Sequence, residues 1–214
     1  MHGANEIQVL GIIGSPRRNG NTEILVDEVL SGAAKAGAQI GKVILDELNI
    51  HPCNACDGCR NTQKCVQGDD MEPLLELMNN SHVWILGTPI YWWGPSAQMK
   101  AFIDRWYGAR HARFQERNII LALPLGGGNK RYAQPTIDMF KYIIGYLNMN
   151  HFATIVAPGV YRRGVIREKT KILRTAHQIG IDVVETLSVK DFDSIYPSVS
   201  LNPTSGSTIS DGEK

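Results

Sequence analysis

The sequence predicts an α/β protein built on a doubly wound, five-stranded parallel sheet in the order 2-1-3-4-5, with helices on both faces. Three observations lead there. Apolar, β-branched runs of strand length recur along the chain, and segments with helical spacing of apolar residues lie between them. The runs are apolar nearly throughout instead of alternating, as strands covered on both faces are. The loops richest in glycine, aromatic residues and polar donors follow the first, third and fourth runs. Right-handed crossovers bring such loops together at the carboxyl edge of a parallel sheet, where ligands bind.

Each element has its own signal. Glu6 to Ile13 forms the first strand and ends in Gly14-Ser15-Pro16. Asn21-Thr22 cap the next helix, in which Leu25, Val29 and Ala33 recur at i, i+4 and i+8 and Gly37 supplies the stop. Ala38 to Leu45 is the second strand. Asn49 to Gly68 is an irregular insertion holding every cysteine, after which Asp69-Asp70 open a helix with Leu74, Leu75 and Met78 on one side. His82 to Gly87 is the third strand, with Trp84 in the core, and a helix runs from about Pro95 to Tyr107. Asn118 to Leu125 is the fourth strand, ending in Gly126-Gly127-Gly128. A helix near Tyr132 to Leu147, a strand near Phe152 to Ala157 and a helix near Val165 to Ile179 complete the pattern. No repeat or second domain is evident. Residues 1–200 form one domain, and the Pro-Ser-Thr-Gly-rich stretch that follows about Tyr196 makes 201–214 a flexible or partner-docked tail.

Composition narrows the function. The 214 residues are 43% hydrophobic and 20% charged, which excludes disorder of the whole chain. With 22 Lys and Arg against 21 Asp and Glu, the net charge of +1 argues against nucleic acid as the main partner. No apolar run approaches the roughly 20 residues that span a bilayer, so no membrane partner is expected. The first twenty residues lack the pattern of a signal peptide, and a cytoplasmic location is expected. Reducing conditions there disfavour disulfides. Four cysteines confined between Cys53 and Cys65 then point to a metal or redox centre.

The loops carry the chemistry. Gly14 to Thr22 runs from a strand into a helix start, where free N–H groups and the helix dipole favour an anion. Ser15, Asn21 and Thr22 add donors, and Arg17 or Arg18 adds charge. The loop has neither the Lys-Ser/Thr ending of a nucleotide triphosphate loop nor the Gly-x-Gly-x-x-Gly dinucleotide spacing. A terminal monophosphate fits it better; a polar turn with a good helix cap is the alternative. In Thr88 to Gly94, Pro89 and Gly94 fix the course, while Tyr91, Trp92 and Trp93 offer flat surface to a planar ring or to another subunit. The triple glycine lets backbone N–H groups approach a ligand closely.

The cysteines follow the pattern Cys53-x2-Cys56-x2-Cys59-x5-Cys65. The x2, x2 spacing is that of ferredoxin-type iron–sulfur ligands, with Cys65 near enough to fold back as a fourth. Structural zinc and free or redox-active thiols are the alternatives. The six histidines show no i, i+4 metal spacing. Lys100, Asp104 and Arg105 read as a solvated or salt-bridged helix face. No nucleophile–base constellation stands out, so no catalytic side chain is assigned.

The segments GSPRRNGNT, PCNACDGC…CVQGDDM and GTPIYWWGPSAQMKAFIDRW together resemble the flavodoxin-fold, NADPH-dependent FMN reductase superfamily, and within it the iron–sulfur flavoprotein branch. The resemblance covers roughly Ile7 to Leu125. It implies an FMN whose phosphate is held by Ser15, Arg17, Asn19, Asn21 and Thr22. It implies a flavin ring lined by Thr88, Pro89, Ile90, Tyr91, Trp92 and Gly94, with Gly126 and Gly127 behind it. Cys53, Cys56, Cys59 and Cys65 would hold one [4Fe–4S] cluster. Trp92-Trp93 departs from the smaller residues expected in many relatives. The implied activity is that of an FMN-dependent oxidoreductase passing electrons between cluster and FMN. Its partners would be a one-electron donor such as ferredoxin, or NAD(P)H, and a small-molecule acceptor, in a homodimer or homotetramer. A cluster-free NAD(P)H-dependent FMN or quinone reductase is the alternative; a flavodoxin electron carrier and a zinc-stabilised module are weaker ones.

Overall fold

The computed structural model describes residues 7–109 and 113–195. The expectations for His2, Glu6, His111 and the tail 201–214 fall outside these residues. Five strands, β1 (Gln8–Ile13), β2 (Gln39–Ile44), β3 (Val83–Gly87), β4 (Asn118–Pro124) and β5 (Asn150–Ala157), pair in parallel. Their order, β2-β1-β3-β4-β5, is the flavodoxin-like one the sequence predicts. The central register runs from Val9 opposite Val83 to Ile13 opposite Gly87, so β1 and β3 end level and their loops emerge side by side. β3 and β4 are buried along their whole length, which is why their sequences do not alternate.

The helices α1 (Asn21–Lys35), α2 (Met71–Asn79), α3 (Ala97–Asp104), α4 (Gln134–Tyr146) and α5 (Thr170–Ile195) divide between the faces. One core joins Leu74 and Met78 of α2, Phe102 of α3 and Phe140 of α4 to Trp84, Trp106 and Phe114. Trp84 is buried as expected, and its Nε1 donates to the Met78 carbonyl at 3.0 Å. The other core packs Leu25, Val26 and Val29 of α1 with Ala176, Val183 and Val184 of α5. No helix among the described residues is long and apolar enough to cross a membrane.

Three local expectations are corrected. The last helix does not stop near Ile179 but runs to Ile195. Gly180 lies inside it as a contact: a Cβ on it would collide with the Val29 carbonyl, and one on Gly32 with the His177 carbonyl. The two helices therefore cross nearly backbone to backbone. Second, Asn21-Thr22 do not cap α1; Gly20 occupies the cap position and no side chain caps it. Third, the helix after β3 tightens after Asp104 into a 3-10 turn over Arg105–Gly108. Gly37, at φ +93°, ends α1 as expected.

Candidate functional site

The carboxyl-edge loops converge on one groove. Ser15, Arg17, Asn21 and Thr22 line it from the loop after β1, and Pro89, Ile90 and Tyr91 from the loop after β3. Leu125 and Gly126 close it from beyond β4. Ile90, Leu125 and Gly126 are shared with an adjoining hollow that continues past Trp92, Trp93, Gly127 and Tyr132. Polar donors at a helix start thus open onto an aromatic-walled space. Val160 and Tyr161, after β5, complete the groove and were not among the expected residues. The signal was available, since the loop after the fifth strand must emerge at the same edge as the others.

Three expected residues stand behind the groove as fasteners. Thr88 is fully buried; its Oγ1 accepts the Ser96 N–H at 3.0 Å and donates to the Pro89 carbonyl at 3.1 Å. Ser96 Oγ in turn donates to the Gly14 carbonyl and caps α3 by accepting the Met99 N–H at 3.2 Å. This knot fixes the loops after β1 and β3 to the start of α3. Asn19, at φ +51°, donates its backbone N–H to Glu23 Oε2 at 2.5 Å. Gly94 pairs with Tyr91 across a two-residue turn, through N–H to carbonyl bonds of 3.0 and 2.9 Å.

The centre of that turn is Trp92 and Trp93, both left-handed at φ +47° and +60°. Such a turn ordinarily takes Asn-Gly, because a Cβ in this region meets the following carbonyl. Here the strain falls on the tryptophans and not on Gly94. The Thr136 hydroxyl donates to the Trp93 carbonyl at 2.8 Å and holds the turn against α4. Trp92 is left 90% exposed.

Asn21 has a different task from the one its position suggests. Its Nδ2 donates to the carbonyls of Val160 at 2.8 Å and Arg162 at 2.9 Å, and its Oδ1 accepts the Ile166 N–H at 3.1 Å. All three contacts tie the loop after β1 to the chain beyond β5. Beneath the same loop, Glu23 is 4% exposed at its side chain and meets Lys42 at 3.1 Å and Arg18 at 3.4 Å. Burial pushes the Glu23 carboxyl up, but the Asn19 N–H, Lys42 and Arg18 outweigh it and hold it below its ordinary value. Arg18 also pairs with Glu47 at 3.2 Å. Of the two expected arginines, Arg17 is the one that lines the groove.

The cysteines form a second centre. All four line one cavity of about 450 Å³, together with Val66, Arg105, Tyr107 and Gly108. Cys53 and Cys56 are exposed, Cys59 and Cys65 half-buried, and none is in a disulfide. Gly108 packs directly against them: a Cβ there would lie 3.4 Å from the Cβ atoms of Cys59 and Cys65, in ordinary contact. The expectation of a solvated or salt-bridged helix face holds for Lys100 and Asp104, paired at 2.6 Å on the surface; Arg105 is salt-bridged too, but buried instead of solvated. Because the chain tightens at residue 105, that side chain turns inward and is buried. It grips Asp69 through Nη1 at 2.5 Å and Nη2 at 3.0 Å, the His51 carbonyl at 2.8 Å and Cys65 Sγ at 3.3 Å. Asp69 also accepts the N–H groups of His51 at 3.1 Å and Met71 at 3.2 Å. Burial pushes the Asp69 carboxyl up, yet Arg105 and the two N–H groups hold it below its ordinary value, and Asp69 raises Arg105 in return.

Among the described residues no three His, Cys, Asp or Glu side chains are drawn together around a single metal ion. A cavity of this volume walled by four thiols suits a group wider than one ion, and a guanidinium donor beside one sulfur suits ligands that carry negative charge. The two centres lie towards opposite ends of α3, whose eight residues rise about 12 Å.

Polar donors at a helix start, beside an aromatic hollow at the β1/β3 switch point, are the arrangement at which doubly wound α/β proteins bind nucleotides. The chain belongs to the NADPH-dependent FMN reductase family, whose model matches residues 7–159, and is a flavin-dependent oxidoreductase of its iron–sulfur flavoprotein branch. It is 36% identical over 130 residues to an iron–sulfur flavoprotein of Methanocaldococcus jannaschii, spanning 61% of this chain and 67% of that protein. It is 32% identical over 190 residues to one from Archaeoglobus fulgidus, spanning 86% and 82%. In three dimensions it is similar to an NAD(P)H:quinone oxidoreductase from Methanothermobacter marburgensis, with a TM-score of 0.68 at 14% identity, over 83% of this chain and 96% of that one.

Proposed function

We propose that the protein holds FMN in the carboxyl-edge groove and a [4Fe–4S] cluster in the cysteine cavity, and so joins one-electron to two-electron chemistry. The observation that carries this reading is the single cavity walled by Cys53, Cys56, Cys59 and Cys65 in a chain that also has a groove lined by polar donors and continuing into an aromatic-walled hollow. When bound, flavin exchanges one or two electrons and the cluster one. The polypeptide positions both. Arg17 and the N–H groups at the start of α1 bind the phosphate, with Ser15 and Thr22 beside them. Asn21, Thr88 and Ser96 hold the loops in place. Ile90, Tyr91, Gly126 and Gly127 receive the flavin ring, and Trp92, Trp93 and Tyr132 wall the space next to it.

Electrons enter from NAD(P)H or from a one-electron protein donor such as ferredoxin, and leave to a small-molecule acceptor. The exposed Trp92-Trp93 turn forms the contact between subunits of a homodimer or homotetramer. A cluster-free NAD(P)H-dependent FMN or quinone reductase is the second reading, favoured by the lack of any gathered three-ligand group among the described residues. Anaerobic reconstitution with iron and sulfide, followed by iron, sulfide and FMN quantitation, decides between them. About four irons per chain supports the first. No iron uptake with FMN fully bound refutes it and leaves the second.

A further inference from the structure

We infer that Arg105 is a positioning residue for the cysteine centre: with Asp69 it clamps both ends of the cysteine-bearing segment, and its hydrogen bond to Cys65 sulfur raises the reduction potential of the bound cluster. This rests on the cluster reading above. The segment from His51 to Asp69 has little regular structure of its own, so something else must hold its ends. Arg105 grips the His51 carbonyl, and Asp69 accepts the His51 N–H, so the entry and the exit of the segment are held at one point on the turn after α3. Both side chains are 1% exposed, and Arg105 Nε is buried without a partner. A desolvated pair of this kind costs free energy in isolation, and replacing such pairs with hydrophobic residues of similar volume is often neutral or stabilising. Its presence is therefore weak evidence for a stabilising role alone and fits a role beyond stability.

That role follows from where the guanidinium sits. Nη2 bridges the Asp69 carboxylate and Cys65 Sγ, and Cys65 is the one cysteine given a side-chain donor among the hydrogen bonds described. Reduction of a cluster adds one negative charge. A fixed N–H donor and positive charge at a ligand sulfur stabilise the reduced form more than the oxidised form, which moves the potential upward.

Two variants test this. Arg105→Lys keeps a cation opposite Asp69 but loses the fork that reaches sulfur. Arg105→Gln combined with Asp69→Asn removes both buried charges together, so neither is left uncompensated. Each is reconstituted anaerobically beside the unaltered protein, assayed for iron, sulfide and FMN, and titrated under paramagnetic resonance. The expected result is retained FMN with a cluster midpoint shifted to more negative potential in Arg105→Lys, and a smaller negative shift in the double variant, where loss of the Asp69 charge offsets part of the loss of the Arg105 charge. A midpoint belongs to each cluster and does not depend on occupancy, so a merely structural clamp lowers the iron content and leaves the midpoint where it was. Midpoints and spectra equal to those of the unaltered protein overturn the inference while the cluster reading stands, as does complete loss of cluster from both variants. An unaltered protein that takes up no iron overturns both.

Discussion

Replacing Asn21 with alanine separates two roles that its position allows: ligand of a phosphate, or fastener of the groove. The structure assigns its side chain three hydrogen bonds, to Val160, Arg162 and Ile166, and losing them frees two carbonyls and one N–H. At about 1 kcal/mol net each, with water regained at the exposed Arg162 carbonyl, the loss amounts to roughly 2–3 kcal/mol. For a domain of this size each kcal/mol moves the midpoint by about 2–4 °C, so FMN-free Asn21→Ala protein should melt roughly 5–10 °C lower. Arg17→Ala is the counterpart. Arg17 is exposed at the mouth of the groove, so its removal should leave the FMN-free melt unchanged. It should weaken FMN binding by about 1.5–3 kcal/mol, roughly tenfold to a hundredfold in Kd, as expected for a lost charge-assisted contact. Thermal melts of FMN-free protein and flavin-fluorescence titrations measure the two quantities separately. Asn21→Ala protein that melts like the unaltered chain and loses as much FMN affinity as Arg17→Ala would refute the reasoning and return Asn21 to the phosphate.

Alanine at Gly180 should destabilise the fold by roughly 3 kcal/mol in urea melts, since its Cβ meets the Val29 backbone, whereas Gly145→Ala in α4 meets nothing within 4 Å and should stabilise by up to about 1 kcal/mol. Equal effects at the two sites would remove the close helix crossing from the argument. Glu23 and Asp69 are both held below their ordinary carboxylate values, so the stability they supply is complete above the unfolded-state values and is lost as pH falls through the lower folded ones. Glu23→Gln should accordingly lower stability at neutral pH and flatten the acid limb of a stability-versus-pH curve; an unchanged limb would contradict the assignment. Trp92→Asn with Trp93→Gly supplies the residues a left-handed two-residue turn prefers while removing the exposed indoles. Sedimentation should then give a monomer near 23.7 kDa where the unaltered chain gives a dimer or tetramer, and a monomeric unaltered chain at micromolar concentration would dismiss the proposed assembly.

Much of this protein is legible in its sequence because much of it is local. The buried strands announce themselves by unbroken apolar runs such as Ile119 to Leu123, and their alternation with helices leaves few topologies once crossovers must be right-handed. The cysteine cavity is legible for the same reason, since four thiols within one short insertion cannot spread far apart. The three glycine-rich or aromatic loops could likewise be assigned to one edge before any coordinate was known. Side-chain partners are another matter. Asn21 looks like a helix cap because a cap is the nearest use for it, but its partners lie 139 to 145 residues away. Arg105 looks like part of a polar face because its neighbours Lys100 and Asp104 are; one tightened turn sends it instead to Asp69, 36 residues distant. The last helix reads from the sequence as ending near Ile179, yet it runs on through Gly180, where it crosses α1. Periodicity and spacing report the energetics of adjacent residues, which the chain carries wherever it goes. Which buried donor meets which acceptor depends on elements brought together only when the sheet closes between its helices, and desolvation then selects the one arrangement that leaves few buried polar groups without a partner.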